Sequence, residues 1–332
     1  MILGGAILCF FALGFFIGRA TYSTTEIKLR QIREKSIGSD KYKFIDPLLT
    51  CEVTQQKDIS EFIPLKNKLL KLIKERTAQG DVATISIYLD RRDGRWLGIN
   101  TSEKYFPASL MKVPTMMAFF KFAEAHPEIL NKSVFYQGDT DLNAMEYFKP
   151  EKTLEPGHSY TIEELIERMI IHSDNNALPL LLNNIDGQSL EEVYADLGLY
   201  IPQTESGSLA DFMTVKSYAS FFRVLYNATY LNRAMSENAL ELLSKPDFSK
   251  GILAGVPSTV EVSQKFGERN FSDNPNDQTS AKELHDCGIV YYPEHPYLLC
   301  VMTKGQNFDK LAKSIADISR LVYQTVDSEV KK

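Results

Sequence analysis

Apolar and polar residues alternate with different periods along this chain, and the periods divide it. Met1 to Gly18 carries no charge and is rich in Ile, Leu and Phe. Tyr22 to Asp40 is polar and mixed in charge and reads as a spacer with room for some helix. Phe44-Ile45-Asp46-Pro47-Leu48-Leu49 is too apolar for a free linker and is expected to dock on a folded body. From Pro64 to Arg76, Leu65, Leu69, Leu72 and Ile73 recur at helical spacing among lysines, which predicts an amphipathic helix. Asp81 to Asp90 and Arg95 to Asn100 read as strands joined by the turn Arg91-Arg92-Asp93-Gly94. Residues 109 to 245 are mostly helical in pattern, including the amphipathic stretch Thr161 to Ile171 and the apolar run Leu178 to Leu182. Strand patterning returns at Val260 to Gly267, Asp286 to Tyr292 and Tyr297 to Thr303, the last two joined by Pro293-Glu294-His295-Pro296. Asn307 to Val326 closes as a helix. Strands at both ends with helices between them predict an α+β body: an antiparallel sheet with helices packed on it, plus a helical subdomain.

Three parts follow: 1–18 as a terminal apolar segment, 19–60 as a spacer with a docking stretch near 44–51, and 61–328 as the folded domain. The terminal run is either a signal sequence or a short membrane anchor. No basic residue precedes it and Arg19-Ala20-Thr21 is a poor cleavage site, so an uncleaved anchor is expected. A buried core helix would show an amphipathic pattern, which is missing here. With 332 residues the chain can bury a full core in one domain, and a monomer is expected. A net charge of −6 and the lack of basic-aromatic interleaving give no reason to expect nucleic acid. Cysteines 9, 51, 287 and 300 show no paired spacing and the five histidines are scattered, so neither a metal nor another cofactor is expected.

The candidate chemistry starts at Ser109-Leu110-Met111-Lys112, directly before an apolar run. One helical turn apart, the hydroxyl and the amine project from one face. A serine needs a neighbour to take its proton, and a lysine desolvated among apolar residues can do so. Pro107 stops any earlier helix, leaving Ser109 in a first turn whose unpaired N–H groups favour negative charge. A serine three residues before a lysine arises by chance in many helices, so two further segments matter. His172-Ser173-Asp174-Asn175-Asn176-Ala177 follows the amphipathic stretch, and Val260 to Gly267 ends in Lys265-Phe266-Gly267. By themselves, Ser173-Asp174-Asn175 would read as a loop or helix cap and Lys265 as a strand-end lysine in solvent.

The order Ser-x-x-Lys, Ser-Asp-Asn, Lys-x-Gly resembles the penicillin-recognising serine hydrolases, and most closely the class A β-lactamases. The likeness covers about residues 61 to 326 and includes Pro156-Gly157-His158-Ser159-Tyr160-Thr161 and His285-Asp286-Cys287-Gly288-Ile289-Val290-Tyr291. It implies a five-stranded antiparallel sheet flanked by helices plus a helical subdomain, with the active site between them. It implies attack by Ser109 on a lactam or peptide carbonyl, with Lys112 as proton acceptor directly or through water. Ser173 would carry the proton to the departing nitrogen, and Asn175 would bind the substrate's side-chain amide. Lys265 would meet the substrate carboxylate, and Gly267 would leave room for substrate against the strand. The oxyanion would lie between the backbone N–H groups of Ser109 and Glu268, donors worth roughly 3 kcal/mol each. Asp174 reads as structural.

Two departures stand out. The Glu-x-x-Leu-Asn loop of class A enzymes is missing, and the nearest candidate for activating water is Glu205 in Pro202-Gln203-Thr204-Glu205-Ser206-Gly207, which reads more simply as a solvated loop acid. Phe266 replaces a hydroxyl residue, removing a donor to the substrate carboxylate worth roughly 1.5 to 3 kcal/mol. The leading expectation is a β-lactam-hydrolysing serine enzyme. The alternatives are a D-alanyl-D-alanine peptidase or transpeptidase acting on peptidoglycan, and a non-catalytic binding or sensor domain on the same fold. Such substrates lie outside the cytoplasmic membrane, so export with a retained anchor is expected. Against that stands the excess of Arg19, Lys28, Arg30, Arg33, Lys35, Lys41 and Lys43 over Glu26, Glu34, Asp40 and Asp46, which favours retention inside. Cys287 and Cys300 would lie on neighbouring strands, but their register is open and a diagonal pair is often too far apart to bridge, so no disulfide is expected.

Overall fold

The computed structural model describes residues 27–35, 41–55, 62–202, 210–272 and 280–331. The Met1 to Gly18 segment and Glu205 lie outside them. Among the described residues no helix is long and apolar enough to cross a membrane.

Two strands, β1 (Ile27–Arg33) and β2 (Leu48–Gln55), pair antiparallel ahead of helix α1 (Ile63–Ala78). The first of them corrects the reading of Tyr22 to Asp40 as a partly helical spacer. Its partner is remote in sequence, Ile27 facing Gln55, so local patterning carried no sign of it. Between the two strands, Phe44 and Ile45 are buried in the helical core. There the Glu237 carboxylate accepts the N–H groups of Lys43, Phe44 and Ile45, at 2.6, 2.9 and 2.9 Å.

Strands β3 (Thr84–Asp90) and β4 (Trp96–Ile99) follow α1, then the short β5 (Lys104–Tyr105) and a 3-10 turn at Ala108–Met111 that runs into α2 (Lys112–Ala123). The short strands β6 (Ser133–Tyr136) and β7 (His158–Thr161) pair around a long loop. Helix α3 (Ile162–Ile171) begins with a capping box in which Thr161 Oγ1 accepts from Glu164 N and the Glu164 carboxylate accepts from Thr161 N. After it come α4 (Ala177–Leu182), α5 (Gly187–Asp196), β8 (Met213–Thr214, paired with β5), α6 (Val215–Tyr226) and α7 (Arg233–Leu243). The chain ends with β9 (Val262–Asn270), β10 (Lys282–Val290), β11 (Tyr297–Gly305) and α8 (Phe308–Val330).

The main sheet has the order β4-β3-β11-β10-β9, antiparallel throughout, as the α+β reading requires. Alternate residues of β3 face opposite ways. Ile85, Ile87 and Leu89 join α1 and α8 in one core, while Tyr88 joins helices α2 to α7 in the other. With both faces covered, β10 is buried along its whole length.

Cys287 stands directly opposite Cys300, with Cα atoms 4.0 Å apart, and the two form a disulfide. This overturns the expectation of free thiols. Register decides whether such a pair can bridge, and register is a property of the paired strands together.

Candidate functional site

Strand β9 is an edge strand, and its free side meets the turn that carries Ser109. A Cβ on Gly267 would stand 2.7 Å from Pro107 O and 2.9 Å from Leu110 N, so glycine lets the strand approach the turn backbone. The Cβ direction at Gly267 is thus taken up by the turn backbone. Two polar side chains of β10 grip the residue leading into the turn. Glu283 Oε2 accepts Phe106 N–H at 3.2 Å, and His285 Nε2 donates to Phe106 O at 3.0 Å while its Nδ1 accepts Thr303 N–H at 3.3 Å. Burial pushes His285 down to about 4, which keeps it neutral in that arrangement. Tyr218 OH donates to Leu110 O from the far side. Ala108, just before the nucleophile candidate, has φ +49°, a left-handed conformation that costs a residue with a Cβ roughly 1–3 kcal/mol.

Helix α2 is buried on nearly every face, and Lys112 at its start is only 1% exposed. Its ammonium donates to Ser173 O at 2.7 Å, to Asn175 Oδ1 at 2.5 Å and, longer, to Ser173 Oγ at 3.3 Å. Lys265, 2% exposed, donates to the same Ser173 Oγ at 2.8 Å. Desolvation lowers both lysines. Lys112 comes down to about 8 against the pull of Glu146, Asp174 and Glu268, while Lys265 falls well below its usual range, helped by the charge of Lys112. Ser109 is half-buried at the 3-10 turn, and among the described residues its hydroxyl has no hydrogen-bond partner.

Ser173 reaches this meeting point from the loop between α3 and α4, with φ +58°. Asp174 holds the loop from inside: its carboxylate accepts from Asn143 Nδ2, Asn176 N and Leu154 N at 2.6, 2.9 and 2.8 Å. His172 Nδ1 meets Asp247 at 2.9 Å on the other side. Asn175 bridges the lysine and a carboxylate, because its Nδ2 donates to Glu146 Oε1 at 2.6 Å.

Phe266 stacks on Phe248 with ring centroids 4.2 Å apart and presents its face to Lys265 Nζ, 4.5 Å from the centroid. Where the family carries a hydroxyl, the aromatic face meets the Lys265 amine instead. Glu268, named from sequence only for its backbone N–H, sends its carboxyl group to the loop between β6 and β7. Oε1 accepts from Tyr147 N at 2.8 Å and Phe148 N at 3.0 Å. Burial and the neighbouring Glu146 push Glu268 up to about 9, and once ionised it favours the charged form of Lys112. A cleft of about 260 Å³ lies beside it, lined by Met145, Glu146, Tyr147, Arg269 and Asn270 among others.

Sequence reading found Ser109, Lys112, Ser173, Asn175 and Lys265 and missed the side chains of Glu146, Glu268, Glu283 and His285. All four are polar residues whose partners are distant in the chain, and the one legible sign was the polar run Lys282-Glu283-Leu284-His285 inside a buried strand.

The fold is that of known enzymes. A β-lactamase from Sphaerobacter thermophilus superposes with TM-score 0.64 at 20% identity, covering 78% of this chain and 96% of its own. A class A β-lactamase from Mycobacterium abscessus matches with TM-score 0.64 at 20% identity over 79% and 98%. A point mutant of PBP-A, an acyl-enzyme complex with penicillin G, matches with TM-score 0.63 at 20% identity over 80% and 97%. No curated protein matches the chain by sequence. The profile of the beta-lactamase enzyme family covers residues 64–326, most of the chain, and the chain belongs to that family.

Proposed function

We propose that this protein is a serine hydrolase of the class A type, acylated at Ser109 and hydrolysing β-lactam amides. The observation that carries the reading is the convergence of two buried lysines on the Ser173 hydroxyl beside the Ser109 turn. A neutral Lys112 amine keeps two donors for Ser173 O and Asn175 Oδ1 and frees a lone pair for the Ser109 proton, directly or through one water. Ser109 Oγ then attacks the carbonyl carbon, and the oxyanion sits between the N–H groups of Ser109 and Glu268. Ser173, supplied with protons by Lys112 and Lys265, passes one to the nitrogen as the C–N bond breaks. Lys265 also offers the positive charge for a substrate carboxylate. Water releases the acyl group, with Glu205 the candidate to activate it.

Burst kinetics with a chromogenic cephalosporin test this: steady turnover is expected, and Ser109→Ala must abolish it. A burst that stalls would favour the second reading, a D-alanyl-D-alanine peptidase or transpeptidase, which PBP-A among the fold neighbours makes worth testing. Failure to acylate at all would leave a binding or sensor domain. An exported domain tethered by Met1 to Gly18 completes the proposal, and the Cys287–Cys300 disulfide favours an oxidising compartment. Protease accessibility on intact cells checks the orientation.

A further inference from the structure

Glu268 Oε1 is occupied by two backbone donors, whereas Oε2 is buried and has no donor of its own. Against it lies the carboxyl group of Glu146, which accepts from Asn175. Two carboxylates in contact repel, and with Glu268 buried one shared proton both relieves the repulsion and satisfies the orphaned oxygen. From Lys112 the contacts run through Asn175 and Glu146 to Glu268, and from there to the backbone of the loop between β6 and β7.

We propose that Glu268 is a positioning residue for acylation: its carboxyl group donates to Glu146 and so holds the Asn175–Lys112 contact in place. This rests on the serine-hydrolase reading above. The groups facing Glu268 are Glu146 and Tyr147 from the loop and Lys112 from α2. Arg269 is its neighbour on β9, and its cross-strand partner on β10 is the uncharged Leu284. Ionising Glu268 sets two like charges together and favours the ammonium form of Lys112, so both effects act against a free amine.

The test follows acylation of the full chain by benzylpenicillin, by intact mass, from about pH 6 to about pH 10.5. In wild type the rate falls again above about 9, where Glu268 loses its proton. Glu268→Ala lowers the rate at least about tenfold, and Glu268→Gln, whose amide can donate to Glu146 and accept from Tyr147, recovers most of that loss and removes the alkaline fall. A Gln variant no better than Ala, or one that keeps the alkaline fall, overturns the proposal. Melting midpoints against pH read the shared proton without catalysis. A carboxyl raised on folding stabilises at low pH and loses that contribution as pH rises, so Glu268→Gln gains on wild type from about pH 5 to about pH 9. A flat difference overturns the shared proton even if no penicillin reacts, whereas a rising difference with an unreactive wild type indicts the assignment of Ser109 instead.

Discussion

Lys112 and Lys265 aim two ammonium groups at one hydroxyl, 3.3 and 2.8 Å from Ser173 Oγ, with almost no solvent between them. Such a pair makes sense only if at least one of them readily gives up its proton.

Only the neutral amine of Lys112 can take the serine proton, so acylation should rise about tenfold per pH unit toward about 8 and then level, before any fall at higher pH. Lys112→Ala should cost about 10²- to 10⁴-fold, and Lys112→Arg, which cannot be deprotonated, should be no better. The same shift has a stability sign. A lysine lowered on folding favours the folded state above its unfolded value of about 10.5 and loses that contribution as pH falls toward about 8. Stopped-flow acylation and melting curves across this range check both signs.

Restoring the hydroxyl by Phe266→Thr separates binding from packing. The variant should lower KM for β-lactams that carry a carboxylate. It should also lose about 3 kcal/mol or more of stability, because a large ring leaves the stack with Phe248. Steady-state kinetics beside chemical denaturation would show the two effects moving in opposite directions.

At Gly267 a methyl group has no free direction, since backbone atoms of Pro107 and Leu110 meet it. Gly267→Ala should cost about 1–3 kcal/mol and shift the Ser109 turn, so that acylation falls by more than the loss of folded protein explains. Comparing the acylation rate per folded molecule with the unfolding midpoint is the check.

Glu283 offers a pH test away from the lysines. Burial first, then Asp211, pushes it up to about 7, while Lys304 and the Phe106 N–H pull the other way. A raised carboxyl contributes stability below its unfolded value of 4.5 and loses it as pH climbs to about 7. Glu283→Gln should therefore melt increasingly above wild type over that window and run parallel to it beyond, as scanning calorimetry would record.

How much of this was legible in the sequence depended on how local each cause is. The capped helix Ile162–Ile171 and the closing helix Phe308–Val330 follow from short-range periodicity, and the pattern showed both. Strand β10 showed only its second half, because Lys282, Glu283 and His285 read as polar although the strand is covered on both sides: Glu283 is met by Lys304 and the Phe106 N–H, His285 by Phe106 O, and Lys282 by the Ser280 hydroxyl. Ser109, Lys112, Ser173 and Lys265 could be named because their spacing carries a recognisable order. Glu146 and Glu268 could not, since neither has meaning until the loop lies across β9. The Cys287–Cys300 bond depended on a one-residue question of register that no local pattern answers.

The grip of Glu237 on three successive amides near Phe44 bears on where the functional unit begins. The segment matching the family starts at residue 64, yet two side chains from well upstream fill the helical interior. A recombinant fragment cut to the family boundary would leave a hole there and an unsatisfied acid beside it. Expression for biochemistry should start ahead of Tyr42.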